Sequence, residues 1–246
     1  MDMRHSLENE WLCAKFLAGF GVPVADSEVR TFGDTRALVV TRFDRALHRS
    51  RKYWLRLPQE DLCQATATPS ASKYEAEGGP GLSTIAGILQ GSESRDDDLA
   101  TLLRAQLLFW MLAATDGHAK NFSLRLLPQA RYRLTPLYDV ISAWPIAGPH
   151  HDQIHPKKLR LAMSLVSPRK RYRLLDIERR HFNDLARRCG FGPDMESILE
   201  DVIARTDAVI AAVARLLPAD FPLSLFDTIT RGLANAARRL ERMPPG

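Results

Sequence analysis

The chain is poor in cysteine, has no long apolar run and lacks the short glycine patterns that cradle a nucleotide. Cys13, Cys63 and Cys189 are its only cysteines in 246 residues. An odd, widely spaced set gives neither a disulfide framework nor a zinc ligand pattern, so buried reduced thiols in a cytosolic protein are expected. No uninterrupted apolar stretch approaches the roughly 20 residues that a spanning helix needs. The opening residues, Met-Asp-Met-Arg-His-Ser-Leu-Glu-Asn-Glu, contain no apolar signal core. The expectation is a cytoplasmic chain with no membrane partner. Neither G-x-x-x-x-G-K nor G-x-G-x-x-G occurs, and neither G-x-S-x-G nor H-E-x-x-H is present. These absences exclude the usual phosphate loops, the hydrolase nucleophile elbow and the zincin helix. There is no internal repeat and no low-complexity tract.

What is present is an ordinary soluble composition, 45% hydrophobic and 26% charged. The net charge of +5 is compatible with nucleic acid or an anionic substrate and requires neither. Basic residues gather late: Lys157, Lys158 and Arg160, then Arg169, Lys170, Arg171 and Arg173, then Arg179 and Arg180. By themselves they read as a solvated face. The tract His150-His151-Asp152-Gln153-Ile154-His155 lies in a Pro/Gly-flanked loop and reads as solvated rather than metal-binding.

Residues 8–19 show the spacing of an amphipathic helix stopped by Gly19 and Gly21. Two strands are predicted at 28–32 and 37–43, joined at Gly33-Asp34, with a further strand edge at 51–55. From Pro58 onward the pattern is mainly helical. Residues 73–81 read as a loop leading into a helix at 82–89, and 91–98 as an acidic loop whose aspartates suit the start of the next helix. Residues 99–114 are apolar all round, which predicts the central buried helix. A short strand and turn then lead to 131–134. Helices are expected through 178–240, broken near 190–193 and 217–222, with a frayed end from Met243.

Directly after the central helix comes Asp116-Gly-His118-Ala-Lys120-Asn121, and further on Asp139 in Leu-Tyr-Asp-Val. A protein kinase needs a carboxylate to orient and accept the proton of a substrate hydroxyl. Five residues later it needs an amide oxygen for Mg²⁺, and beyond that a second carboxylate for the same metal. Asp116, Asn121 and Asp139 have that order and spacing. An isolated D-x₄-N after a helix also arises as a simple turn.

The surrounding blocks resemble the HipA family of toxin kinases. They are Ala113–Leu124, Leu134–Ala143, Arg36–Arg45, Leu57–Cys63 and Lys73–Gly81. The resemblance runs from about Glu8 into the C-terminal helices. It implies an α+β, predominantly α fold: a protein-kinase-like C-terminal lobe at 46–246 with a remnant of the N-terminal lobe at 1–45. Asp116 would be the catalytic carboxylate. Asn121 and Asp139 would hold Mg²⁺ against the phosphates of ATP. His118, Lys120 and Tyr138 would lie at those phosphates or around the metal. Thr41, Arg42 and Phe43 would form the hinge that meets the adenine; the family often has an acidic residue where Thr41 stands.

The implied activity is serine/threonine protein phosphorylation within a toxin–antitoxin system, with a glutamyl-tRNA synthetase as the family's target class and growth arrest as the outcome. Implied partners are a HipB-like helix-turn-helix antitoxin and operator DNA phosphates. The family carries a phosphate-binding loop and a nucleotide lysine upstream of this region, so a truncated chain is expected. Gly78-Gly79-Pro80-Gly81 is no replacement, because Pro80 has no N–H to offer. Glu8 and Glu10 read as helix-start charges. The alternatives are an inactive relative that binds antitoxin or DNA, and a split enzyme whose N-terminal lobe is a separate chain.

Overall fold

Helix α1, Ser6–Gly19, opens the computed structural model, which describes residues 5–166 and 169–245. It buries Trp11, Leu12, Cys13, Phe16 and Leu17 and begins slightly before the predicted start. The chain turns away at Gly21, whose φ of +83° suits a residue without a Cβ. Strands β1, Ser27–Phe32, and β2, Thr35–Val40, pair antiparallel across Gly33-Asp34 as predicted. However, β2 stops at Val40, so Thr41–Phe43 leave the sheet. There Thr41 N–H donates to Asp26 O at 2.8 Å, and Arg42 grips Asp44 with two 2.7 Å bonds.

A second hairpin follows where only a strand edge was expected: β3, Arg45–Leu47, against β4, Trp54–Arg56. Next, β5, Gln59–Asp61, runs into the short helix α2, Leu62–Ala65, through a capping box. Asp61 accepts from Gln64 N–H, and Gln64 accepts from Asp61 N–H, both at 2.9 Å.

Helix α3, Leu82–Leu89, lies where predicted. Helix α4, Arg95–Met111, begins earlier than the apolar run suggests, so Asp96, Asp97 and Asp98 belong to its first turn rather than to a loop. Carboxylates are stabilising there, beside the positive end of the helix dipole. Asp98 is buried and accepts from Ser92 Oγ at 2.5 Å and from Leu134 N–H at 2.8 Å. The rest of α4 is buried almost all round and forms the centre of the core. Strands β6, Ser123–Leu126, and β7, Tyr132–Leu134, complete a three-stranded antiparallel sheet of order β5-β6-β7.

The pattern beyond Pro58 is mostly helical as expected, but an antiparallel pair that the sequence did not announce interrupts it: β8, Arg160–Val166, and β9, Lys170–Arg173. The three last helices are α5, Arg179–Arg188, α6, Glu196–Ala214, and α7, Leu223–Glu241. They fall where expected. Gly232 of α7 lies against Trp144, and a Cβ there would come within 2.4 Å of the indole. That close approach, not backbone freedom, explains a glycine inside a helix.

The basic run is only partly a solvated face. Arg179 is buried and paired with Glu196 and Glu200. Lys170 pairs with Glu75 at 2.9 Å and Arg180 with Glu178 at 2.8 Å. The C-terminal segment is anchored at Met243, whose sulfur accepts from Arg179 N–H at 3.2 Å; Gly246 lies outside the described residues. Cys13, Cys63 and Cys189 are buried free thiols, as expected. Among the described residues no helix is long and apolar enough to cross a membrane.

Candidate kinase-type active site

The site is assembled at the C-terminal end of α4. The last carbonyls of an α-helix have no partner within it. Here two segments share them. Ala114 N–H returns to Phe109 O at 2.8 Å and Ala113 N–H to Trp110 O at 3.3 Å, a Schellman-type end with Ala113 in the left-handed region at φ +49°. The segment after Asp139 takes the others. Ser142 Oγ donates to Leu112 O at 2.6 Å, Ala143 N–H to Ala113 O at 3.0 Å and Trp144 Nε1 to Met111 O at 2.9 Å. One helix end therefore holds both the Asp116 loop and the Asp139 loop.

Two further clamps fix the Asp139 loop. Leu137 exchanges backbone bonds with the strand-like segment after α1: Ala25 N–H donates to Leu137 O and Leu137 N–H to Pro23 O, both at 2.8 Å. On the other side, the buried Asn9 amide bonds both backbone groups of Ser142, at 2.8 and 2.9 Å. Between these clamps Asp139 adopts φ +58°, a conformation that costs an L-residue roughly 1–2 kcal/mol.

Asn121 joins the two loops. In the 3₁₀ turn Ala119–Asn121 its Oδ1 accepts from His118 N–H at 2.9 Å. Its Nδ2 donates to the Asp139 carbonyl and to Asp139 Oδ2, both at 3.1 Å. Asp116 is exposed and accepts a hydrogen bond from the Tyr74 hydroxyl. That bond, with burial and the Asp116 charge behind it, pushes the Tyr74 phenol up to about 12. His118 is buried beside them, its Nε2 3.8 Å from Asp116 Oδ1 and its ring edge-on to Tyr74. Neither ring nitrogen of His118 has a hydrogen-bond partner. Burial holds this imidazole below the ordinary histidine range.

The acids repel one another. Partial burial raises the Asp139 carboxyl above the usual range, and the charge of Asp116 raises it further. Glu10 of α1 is pushed up to about 6 by burial and then by Asp139. A cluster of hard oxygen donors under that strain suits a divalent cation such as Mg²⁺. Among the described residues no three His, Cys, Asp or Glu side chains converge as a ready-made cage. His150, His151 and His155 form no such group either. Mg²⁺ ordinarily takes only one or two protein ligands, with phosphate oxygens and water completing its octahedron. Asn121 and Asp139 fit that role, and the partnerless nitrogens of buried His118 leave room for one more polar group.

Of the sequence-predicted residues, the structure brings Asp116, His118, Asn121 and Asp139 together. Lys120 and Tyr138 belong to an adjoining network rather than to this cluster. Lys120 Nζ pairs with Asp61 at 2.8 Å. The Tyr138 hydroxyl bonds Ser123 Oγ at 2.6 Å and the Lys120 carbonyl at 2.9 Å. Phe43 packs its ring 5.8 Å from that of Tyr138, while Arg42 is occupied by Asp44 and Thr41 N–H by Asp26. Sequence reasoning did not single out Tyr74 or Lys73. Lys73 acts electrostatically on both Asp139 and His118, and its Nζ lies 5.1 Å from the Tyr74 ring centroid. Their only signal was membership of the Lys73–Gly81 block. Glu8, read as a helix-start charge, is buried and pairs with Arg36 at 3.0 Å.

Known proteins are similar to this chain in sequence and in fold. The family described as HipA-like C-terminal domain matches residues 1–210. The Sinorhizobium fredii protein named "Putative kinase Y4mE" is 30% identical over 219 residues, 85% of this chain and 47% of that protein. The "Serine/threonine-protein kinase toxin HipA" of Shewanella oneidensis is 31% identical over 150 residues, 56% of this chain and 34% of that protein. The chain thus spans about half or less of the length of these relatives. The fold matches HipA in the Shewanella oneidensis complex of HipA, HipB and operator DNA with a TM-score of 0.82 at 20% identity, covering 98% of this chain and 57% of that one. It also resembles the Helicobacter pylori proinflammatory kinase CtkA, with a TM-score of 0.55 at 9% identity over 96% of this chain and 84% of that one. The chain belongs to the HipA-like C-terminal domain family and has its α+β fold.

Proposed function

We propose that this chain is the catalytic lobe of a HipA-like toxin kinase that transfers the γ-phosphoryl group of ATP to a serine or threonine hydroxyl of a protein. The observation that carries the reading is the Asn121 amide bridging the Asp116 and Asp139 loops, with Asp116 exposed beside it. Asp116 orients the hydroxyl and takes its proton as the oxygen bonds to the γ-phosphorus and the bond to ADP breaks. The Tyr74 hydroxyl already occupies one oxygen of Asp116, so the substrate hydroxyl must use the other or displace it. Asn121 and Asp139 would hold Mg²⁺, which when bound neutralises charge on the phosphates. His118 and Lys73 would face phosphate oxygens. Beside Asp139 a small hollow lined by Ala14, Val24 and Val40 adjoins the 41–43 segment and would have to widen to receive the adenine. Since Thr41 N–H is donated to Asp26, an adenine contact there falls to the Thr41 carbonyl.

In this reading residues 1–45 belong to the N-terminal lobe and 46–246 to the C-terminal lobe. The protein acts in the cytoplasm on an aminoacyl-tRNA synthetase, glutamyl-tRNA synthetase being the family's target class. A HipB-like antitoxin and operator DNA are its partners. A second reading is favoured by the absence of any phosphate-loop motif in the sequence. In it, the chain takes the phosphate-gripping half from a separate chain, or binds antitoxin and operator DNA without catalysis.

Phosphotransfer from γ-labelled ATP to protein serine or threonine separates these readings. It is measured for this chain alone and mixed with a separately produced N-terminal lobe. Signal above that of Asp116→Asn in either mixture is the expected result. Wild type indistinguishable from Asp116→Asn in both would sink the kinase reading.

A further inference from the structure

The β3–β4 hairpin is unlike the rest of the surface. Residues 45–56 contain Arg45, Arg49, Arg51, Lys52 and Arg56 and no carboxylate. Those five positive charges equal the net charge of +5 of the whole chain. Arg45 is tied to Asp44 at 2.7 Å. Among the described residues no ion pair forms at Arg49, Arg51, Lys52 or Arg56, all of them exposed. Arg45 and Arg56 also stand directly opposite each other across the strands, an arrangement of like charges that destabilises a hairpin.

Beside these cations the hairpin displays aromatic rings. Trp54 is 65% exposed and Tyr53 52% exposed. The His48 imidazole stacks on Tyr53, centroids 4.4 Å apart and planes 13° apart. The turn between the strands is closed by His48 N–H to Tyr53 O at 2.9 Å and Arg51 N–H to His48 O at 2.7 Å. β3 and β4 pair only with each other, and an isolated two-stranded hairpin in water is marginal. Large exposed rings on such an element indicate a surface that is covered in use.

We propose that this hairpin binds an unpaired nucleic-acid strand, with Arg49, Arg51, Lys52 and Arg56 along the phosphates and Trp54 and Tyr53 stacked on bases. An acidic polypeptide would satisfy the cations but offers no flat partner for the rings. A duplex keeps its bases stacked within itself. The combination of free cations and exposed rings is that of sequence-tolerant single-strand surfaces. The hairpin shares no residue with the Asp116–Asp139 cluster, and the proposal does not depend on phosphotransfer.

The test is fluorescence anisotropy of labelled 15-mers of oligo(dT) and oligo(rU) with the full 246-residue chain. About four neutralised phosphates give a log–log salt slope near −3, a loss of roughly 50-fold between 50 and 200 mM salt. Trp54→Ala removes one stacking platform and weakens binding about 5- to 150-fold with the slope unchanged. Arg51→Ser with Lys52→Ser flattens the slope by about 1.4. Lys157→Ser with Lys158→Ser, on the late basic run, is the control and leaves binding intact. The two oligonucleotides show whether the strand is DNA or RNA. The proposal is overturned by any of several results: no binding at about 100 μM protein, the weak end of non-specific affinities; a hairpin variant equal to wild type; loss in the Lys157/Lys158 variant instead; a duplex bound as tightly; or poly-glutamate displacing the strand as well as unlabelled oligonucleotide. Because the substituted side chains are exposed, an unchanged melting temperature certifies that each variant is folded.

Discussion

Asp139→Asn is expected to lower phosphotransfer by about 10²- to 10³-fold, the range seen when one electrostatic contact to a transition state is removed. The substitution is nearly isosteric. It keeps the Asn121 bond to the residue 139 carbonyl, and the clamps at Leu137 and Asn9 do not involve the side chain. What disappears is one negative charge from a cluster in which Asp116 and Asp139 already repel each other. Folding stability should therefore hold or rise slightly while activity falls. The measurement is the turnover rate with the melting temperature recorded alongside. Full activity in Asp139→Asn would remove Asp139 from the metal site.

Asn9→Leu is expected to cost about 2–6 kcal/mol, because two backbone groups of buried Ser142 lose their partners at 1–3 kcal/mol each. Asn9 Nδ2 and Oδ1 bond Ser142 O and N–H, and the Cys13 thiol that also reaches the Ser142 backbone is too weak an acceptor to replace the amide. For a chain of this size the melting temperature should drop by roughly 4–24 °C. Because Ser142 also caps Leu112 at the end of α4, the same change loosens the Asp139 loop, and activity should fall with stability. Thermal denaturation of the variant checks the first effect. A shift of under about 2 °C would mean that Ser142 is held some other way.

The contrast between these two residues shows what the sequence could reveal. The Asp116, Asn121 and Asp139 spacing is local, so its meaning could be read from a short stretch, and the all-round apolar run marked α4 as the central helix. Asn9 and Ser142 are 133 positions apart, and Tyr74 and Asp116 are 42 apart. Nothing in either neighbourhood announces the contact. Strand β8 hid for a different reason. Leu161, Ala162, Met163, Ser164 and Leu165 are all buried, so the alternation that betrays a half-buried strand is absent. β3 and β4 have three residues each, too few to show any period. Arg179 was grouped with surface cations because its partners, Glu196 and Glu200, come from the next helix.

The central claim is that Asn121 and Asp139 form one metal site for a nucleotide, with Asp116 beside it but outside it. Electron paramagnetic resonance of Mn²⁺ in the presence of ATP, with the protein supplied alone and with an N-terminal lobe, tests this directly. The account predicts protein-bound Mn²⁺–ATP in wild type and in Asp116→Asn, weakened at least about tenfold in Asp139→Asn and in Asn121→Ala. Equal binding in all four proteins, or no protein-bound Mn²⁺–ATP in wild type under either condition, would contradict it.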